Sequence, residues 1–208
     1  MPVLQGSLFS AGDEVAPRPV DEGRVRHVLT DGAWIDIRPS WVVGADELFG
    51  RLRDAVPWQA ERRRMYDRVV DVPRLHRFYG ENERLPLHVL ESLRQALGAA
   101  YAGEMGEPFR TVGMCCYRVG RDSVAWHGDT IGRGSFEDTV VAIVSLGASR
   151  RFLLRPRGGG QACRVELGSG DLLVMGGSCQ RTWEHAVPKT ARAIGPRISV
   201  QFRPRGVR

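Results

Sequence analysis

Residues 124–130 read Val-Ala-Trp-His-Gly-Asp-Thr. In a strand, alternate residues share a face, so His127 and Asp129 turn to one side while Gly128 turns away. An imidazole and a carboxylate so placed can grip one metal ion. His-x-Asp is a short pattern that chance supplies easily in a chain with five histidines. It gains weight from His185, which lies in a separate β-like run, "TWEHAVP", bounded by Pro188. Two imidazoles and one carboxylate form the facial set of non-haem iron(II) oxygenases, leaving about three positions of an octahedral ion for a bidentate organic acid and dioxygen. A zinc hydrolase could use the same trio, so the choice depends on whether the chain also holds an organic acid.

The C-terminal run "PRISVQFRP" bears on that choice. Arg197, Ser199, Gln201 and Arg203 share one parity, and Ile198, Val200 and Phe202 the other. Two arginines facing the interior of a sheet require anionic partners, because an unpaired buried charge is too costly. A dicarboxylate with one end on iron meets that requirement, and a guanidinium offers it parallel donors. An exposed edge strand with solvated arginines is the alternative.

These residues need elements to position them. Leu48, Leu52 and Val56 recur at helical spacing up to Pro57, which predicts a helix near 45–55. Pro86 opens a second helix with Leu87, Leu90, Leu93, Leu97 and Tyr101 along one face. Beyond it, runs starting at Thr111, Thr139, Arg150, Ala162, Arg181 and Pro196 are short, β-rich and separated by Gly and Pro, the pattern of an antiparallel sandwich or barrel. Helices followed by strands give an α+β fold, and 208 residues suit one domain. Residues 1–30, rich in Gly, Pro and charge, read as a loosely packed N-terminal arm.

The net charge of +6 favours an anionic partner such as nucleic acid, although Lys189 is the single lysine and so strong an arginine bias weakens the inference. Cys115, Cys116, Cys163 and Cys179 show no CxxC spacing, which argues against a disulfide scaffold or a zinc ribbon. The N-terminus has no basic segment followed by an apolar run, and no stretch has the length of a membrane helix. A cytoplasmic monomer with no membrane partner is expected.

Together "YRVGRDSVAWHGD", "VSLGASRRFLLRP", "LGSGDLLVMGG", "WEHAVP" and "PRISVQFR", in this order and spacing, resemble the AlkB family of 2-oxoglutarate- and iron(II)-dependent dioxygenases. The resemblance runs from about Pro57 to Arg203 and is strongest after Val112. It implies a double-stranded β-helix, or jelly roll, over 110–204, with N-terminal helices and a nucleotide-recognition lid over 57–80. It implies Fe(II) on the catalytic residues His127, Asp129 and His185, with 2-oxoglutarate and O2 as cosubstrates. Arg197 then pairs with the far carboxylate of 2-oxoglutarate, Tyr117 assists it, and Arg203 lies near the metal-bound end. The implied reaction oxidises 2-oxoglutarate to succinate and CO2 and hydroxylates an N-methyl group on a damaged base, which breaks down to formaldehyde and the repaired base. Three positions depart from the family pattern. Cys115 and Ser199 stand where asparagine is frequent; the Ser199 hydroxyl can still donate, whereas a thiol is a poor hydrogen-bonding group. Ile131 stands where some members carry an acidic residue that contacts the target base.

On the substrate side, Trp58, Tyr66 and Tyr79 in the lid region are candidates to stack on an extruded base, with Ile131 beside it, while Arg62, Arg63, Arg64, Arg68, Arg74 and Arg77 track phosphates. Arg150, Arg151, Arg155 and Arg157 crowd a second hairpin, as a charged turn or a further phosphate contact. The reading is an oxidative demethylase of N-alkylated bases in DNA, with RNA as a second candidate. Two other classes stay open: a 2-oxoglutarate dioxygenase acting on a protein or small molecule, and a non-catalytic nucleic-acid-binding jelly roll.

Overall fold

Strands whose residues alternate between two buried faces organise the molecule, for which a computed structural model describes residues 14–65 and 68–207, with backbone alone over 62–65 and 68–71. The chain opens with β1 (Ala16–Pro17) and β2 (Val25–Val28), and continues through β3 (Ala33–Arg38) and β4 (Val42–Val43) to helix α1 (Ala45–Ala55). Two long strands follow, β5 (Gln59–Met65) and β6 (Arg68–Tyr79), then helix α2 (Val89–Ala100). The remainder is β7 (Thr111–Tyr117), β8 (Val124–His127), β9 (Val141–Gly147), β10 (Arg150–Pro156), β11 (Cys163–Leu167), β12 (Leu172–Gly177), the short helix α3 (Cys179–Thr182), β13 (Trp183–Val187) and β14 (Arg197–Arg203).

Eight strands form a major sheet in the order β2-β3-β12-β9-β14-β7-β6-β5, and four form a minor sheet, β11-β10-β13-β8. Every pairing among the named strands is antiparallel. The central strands of the major sheet are buried on both sides. Val144, Leu146, Val174, Val200 and Phe202 join the cluster under the helices, whereas Val141, Ile143, Leu173 and Met175 pack with Phe152, Leu154 and Trp183 of the minor sheet. A one-residue slip in any of these strands would exchange its two faces, so register is strongly specified. Leu48 and Leu52 of α1 and Leu90, Leu93 and Leu97 of α2 are fully buried against the outer face, each worth about 1.5–3 kcal/mol of apolar transfer. The result is three layers, helices on sheet on sheet, and the two-sheet part is the jelly roll.

Residues 16–28, read as a loosely packed arm, are instead woven into the fold. β1 pairs with β4, β2 pairs with β3 at the border of the major sheet, and Val20 is buried. The turn that returns β2 onto β3 has positive φ at Asp31 and Gly32. The sheet therefore begins well before residue 110, because β3 supplies a full partner for β12.

Candidate active site

The three proposed metal ligands come from two neighbouring strands and the turn that follows one of them. His127 closes β8, and its register partner in β13 is His185, so backbone pairing alone sets the two imidazoles side by side, ring centroids 4.2 Å apart. Asp129 lies just past the strand. Its backbone N–H donates to Gln180 Oε1 at 2.8 Å, which fixes the turn. Glycine is required between the two ligands, since a Cβ on residue 128 would fall 2.5 Å from the Gln180 carbonyl oxygen. One potential ligand atom from each of His127, Asp129 and His185 lies within 4.8 Å of the others.

Their surroundings favour the ligating forms. Burial alone would raise the Asp129 carboxyl, but the Arg203 guanidinium, aided by His185 and His127, outweighs it and holds the pKa at about 2; Arg203 Nε donates to Asp129 Oδ2 at 2.7 Å. Burial first, and His127 second, push His185 down to about 3, so its imidazole is neutral with a free lone pair. Its ring lies against Phe152, 19° from parallel at 5.2 Å. His127 Nδ1 sits 2.9 Å from the Ala125 carbonyl; a neutral ring donates there and keeps the Nε2 lone pair free. Two imidazoles, that of His185 held neutral, with an ionised carboxylate make a donor set that suits Fe(II).

Beside the trio lies a cationic pocket. Arg197, fully buried, faces Tyr117 across the β14–β7 ladder. Its Nε donates to Ser145 Oγ at 2.9 Å, and its Nη1 finds no partner. Arg150, also buried, donates through Nη2 to the carbonyls of Asp122 (2.8 Å) and Pro188 (2.7 Å), while its Nη1 is likewise without a partner. The two guanidinium carbons lie 5.4 and 5.5 Å from the Tyr117 ring centroid. Burial pushes the Tyr117 hydroxyl up and both guanidinium groups down. Buried donors with no partner among the described residues fit a carboxylate of 2-oxoglutarate. Ser199 Oγ accepts a hydrogen bond from Gln201 Nε2 at 2.6 Å, and Cys115 Sγ accepts one from Arg74 Nε at 3.4 Å.

The expected base-stacking residues fare differently. Tyr79 is 4% exposed and belongs to the core under the helices. Trp58 packs against the same core and donates its Nε1 to the Arg53 carbonyl at 3.1 Å. Both are structural in place, and Tyr66 lies outside the described residues. The face of β6 turned to the site is the other one: His76 pairs opposite Cys115 and Phe78 opposite Gly113, with Arg74 on the same side. The parity of β6 was the available clue, because a buried Tyr79 forces Phe78 and His76 to the opposite face. Ile131 is 71% exposed, at the rim beyond Asp129. Arg150, expected in a charged turn or at a further phosphate contact, is buried, and its shared parity with Phe152 and Leu154 marks it as inward-facing.

The sequence profile of the 2OG-Fe(II) oxygenase superfamily matches residues 74–203. The alpha-ketoglutarate-dependent dioxygenase alkB homolog 3 of Bos taurus is 32% identical over 182 residues, covering 76% of this chain and 61% of that protein. The chain thus spans about three-fifths of the length of that relative. The DNA oxidative demethylase ALKBH2 of Mus musculus is 25% identical, over 94% of this chain and 92% of its own length. Among solved structures, a prolyl hydroxylase from Trichoplax adhaerens in complex with a hypoxia inducible factor peptide superposes with a TM-score of 0.61 at 14% identity, covering 84% of this chain and 83% of that one. OsALKBH1 gives 0.59 at 16% identity, over 86% and 100%. At those identities the likeness is one of fold, the double-stranded β-helix. The matched profile, the alkB relatives and the converging His127, Asp129 and His185 place this chain in the 2OG-Fe(II) oxygenase superfamily, as a member of its AlkB family.

Proposed function

We propose that the protein oxidatively dealkylates N-alkylated bases in nucleic acid, DNA foremost, with release of formaldehyde and succinate. The observation that carries this reading is a close His127, Asp129 and His185 trio, in the same two-sheet sandwich as buried arginine donors that have no partner among the described residues, which is what a metal-chelated dicarboxylate requires. When bound, Fe(II) with 2-oxoglutarate and O2 supplies the oxidation of the N-alkyl carbon. The chain's own residues do the positioning. His127, Asp129 and His185 would hold the ion, and Arg203 keeps Asp129 ionised. Arg197 would anchor the far carboxylate, and the sandwich of Phe152 and Leu154 keeps water from the buried side. Nucleic acid as substrate is supported by the names of the relatives and by the β5–β6 hairpin, whose site-facing residues Arg74, His76 and Phe78 combine a cation with flat rings.

The test incubates purified protein with Fe(II), 2-oxoglutarate and oligonucleotides bearing 1-methyladenine, 3-methylcytosine or etheno adducts, reading strand mass and formaldehyde. Reversion of an adduct with equimolar succinate is expected. Consumption of 2-oxoglutarate with every strand unchanged would overturn the nucleic-acid part. That result would favour a protein or small-molecule substrate, the second reading, which the exposed apolar Ile131 at the rim supports.

A further inference from the structure

We propose that Arg150 is a second binding residue for the far carboxylate of the cosubstrate, giving this pocket a selectivity for dicarboxylates that Arg197 alone would not provide. The proposal rests on the 2-oxoglutarate reading above.

Arg150 begins β10 in the minor sheet, whereas Arg197 and Tyr117 face each other in the major sheet. The pocket is therefore closed by cations from both sheets. Arg150 is 3% exposed and Arg197 1%. Among the described residues neither makes a salt bridge, and the Arg150 hydrogen bonds go to the neutral carbonyls of Asp122 and Pro188. Those two bonds aim the guanidinium but do not neutralise it. Its remaining terminal nitrogen, Nη1, is buried without a partner among the described residues, as is Nη1 of Arg197. Each guanidinium approaches the same Tyr117 ring, at 5.5 and 5.4 Å. Two buried like charges around one ring repel each other and lose hydration, a combination that destabilises the empty pocket. A carboxylate entering it relieves both penalties at once, which a ligand ending in a methyl group cannot do. Arg150 is placed to do this by the segments around 122 and 188, so its position is set by the fold and not by the ligand.

The experiment measures binding to the Mn(II)-loaded, oxygen-free protein by quenching of tryptophan fluorescence. The ligands are 2-oxoglutarate and 2-oxopentanoate, which share the chelating end and differ in the distal carboxylate. Wild type, R150Q, R150M and R150K are compared, each first checked for a cooperative thermal transition; R150M serves if R150Q does not fold. Loss of a charge-assisted hydrogen bond predicts that the preference for 2-oxoglutarate over 2-oxopentanoate falls on the order of tenfold in R150Q or R150M, and that R150K retains it to within about threefold. An affinity for both ligands that falls in parallel, leaving the preference unchanged, would assign Arg150 a purely structural role and overturn the proposal. A wild-type protein that binds neither ligand would instead overturn the cosubstrate reading from which it starts.

Discussion

Replacing Arg203 by methionine tests the electrostatics of the site. Asp129 is buried and its carboxyl is held at about 2, against about 3.9 in an unfolded chain. A folded value below the unfolded one means that ionised Asp129 stabilises the fold above about pH 4 and loses that contribution as pH falls toward 2. The full contribution is ~2.5 kcal/mol. Methionine keeps much of the side chain's bulk but removes the cation at 2.7 Å, so burial then dominates and raises the carboxyl above its unfolded value. Removing one partner of a buried pair costs about 3–5 kcal/mol. Urea unfolding of metal-free R203M at pH 7 should show a deficit of that size, and the deficit should narrow on acidification as Asp129 takes up a proton. A loss under about 0.5 kcal/mol at pH 7, or a deficit that widens toward pH 4, would refute the pairing as the source of the lowered pKa.

His127→Ala should abolish succinate formation while leaving single-stranded DNA binding, read by fluorescence anisotropy, within about threefold; unchanged turnover would remove the imidazole from the metal site. Gly128→Ala drives a methyl group against the Gln180 carbonyl and should weaken Mn(II) binding by about 10- to 100-fold in a calorimetric titration. Leu97→Ala, fully buried on α2 and far in the chain from the ligands, should cost about 2–5 kcal/mol of stability with kcat per folded molecule preserved. If arginines of the hairpin contact phosphates, log Kobs for DNA should fall linearly with log salt concentration, and a flat line would exclude that contact.

Much of this was legible because the relevant patterns are periodic and local. The apolar repeat at Leu48, Leu52 and Val56 placed a helix near 45–55, and α1 spans Ala45–Ala55. The alternation in the last run sorted Arg197 and Ser199 from Ile198 and Val200, and the two sets lie on opposite faces of β14. Short segments carried less information. β1 has two residues and β2 four exposed ones, so their places in the sheets come from pairing partners and not from their own pattern. Over 57–80 aromatic character singles out Tyr79, whereas the strand's alternation gives the site Phe78 and His76. Arg150 reads as part of a basic hairpin because it precedes Arg151 in a charged run, and only the inward parity of Phe152 and Leu154 separates the two.

β8 has four residues and, among the described residues, a single neighbour, β13, in the minor sheet, with an irregular register between His185 and Val187. A border strand held along one side peels away at low free-energy cost. Two of the three ligands sit on or just beyond it, so an ion that binds only the closed arrangement acts as a rivet across the seam. Amide hydrogens of residues 124–130 should therefore exchange faster than those of β14 without metal and slow on loading, which makes occupancy of the centre readable from backbone protection alone.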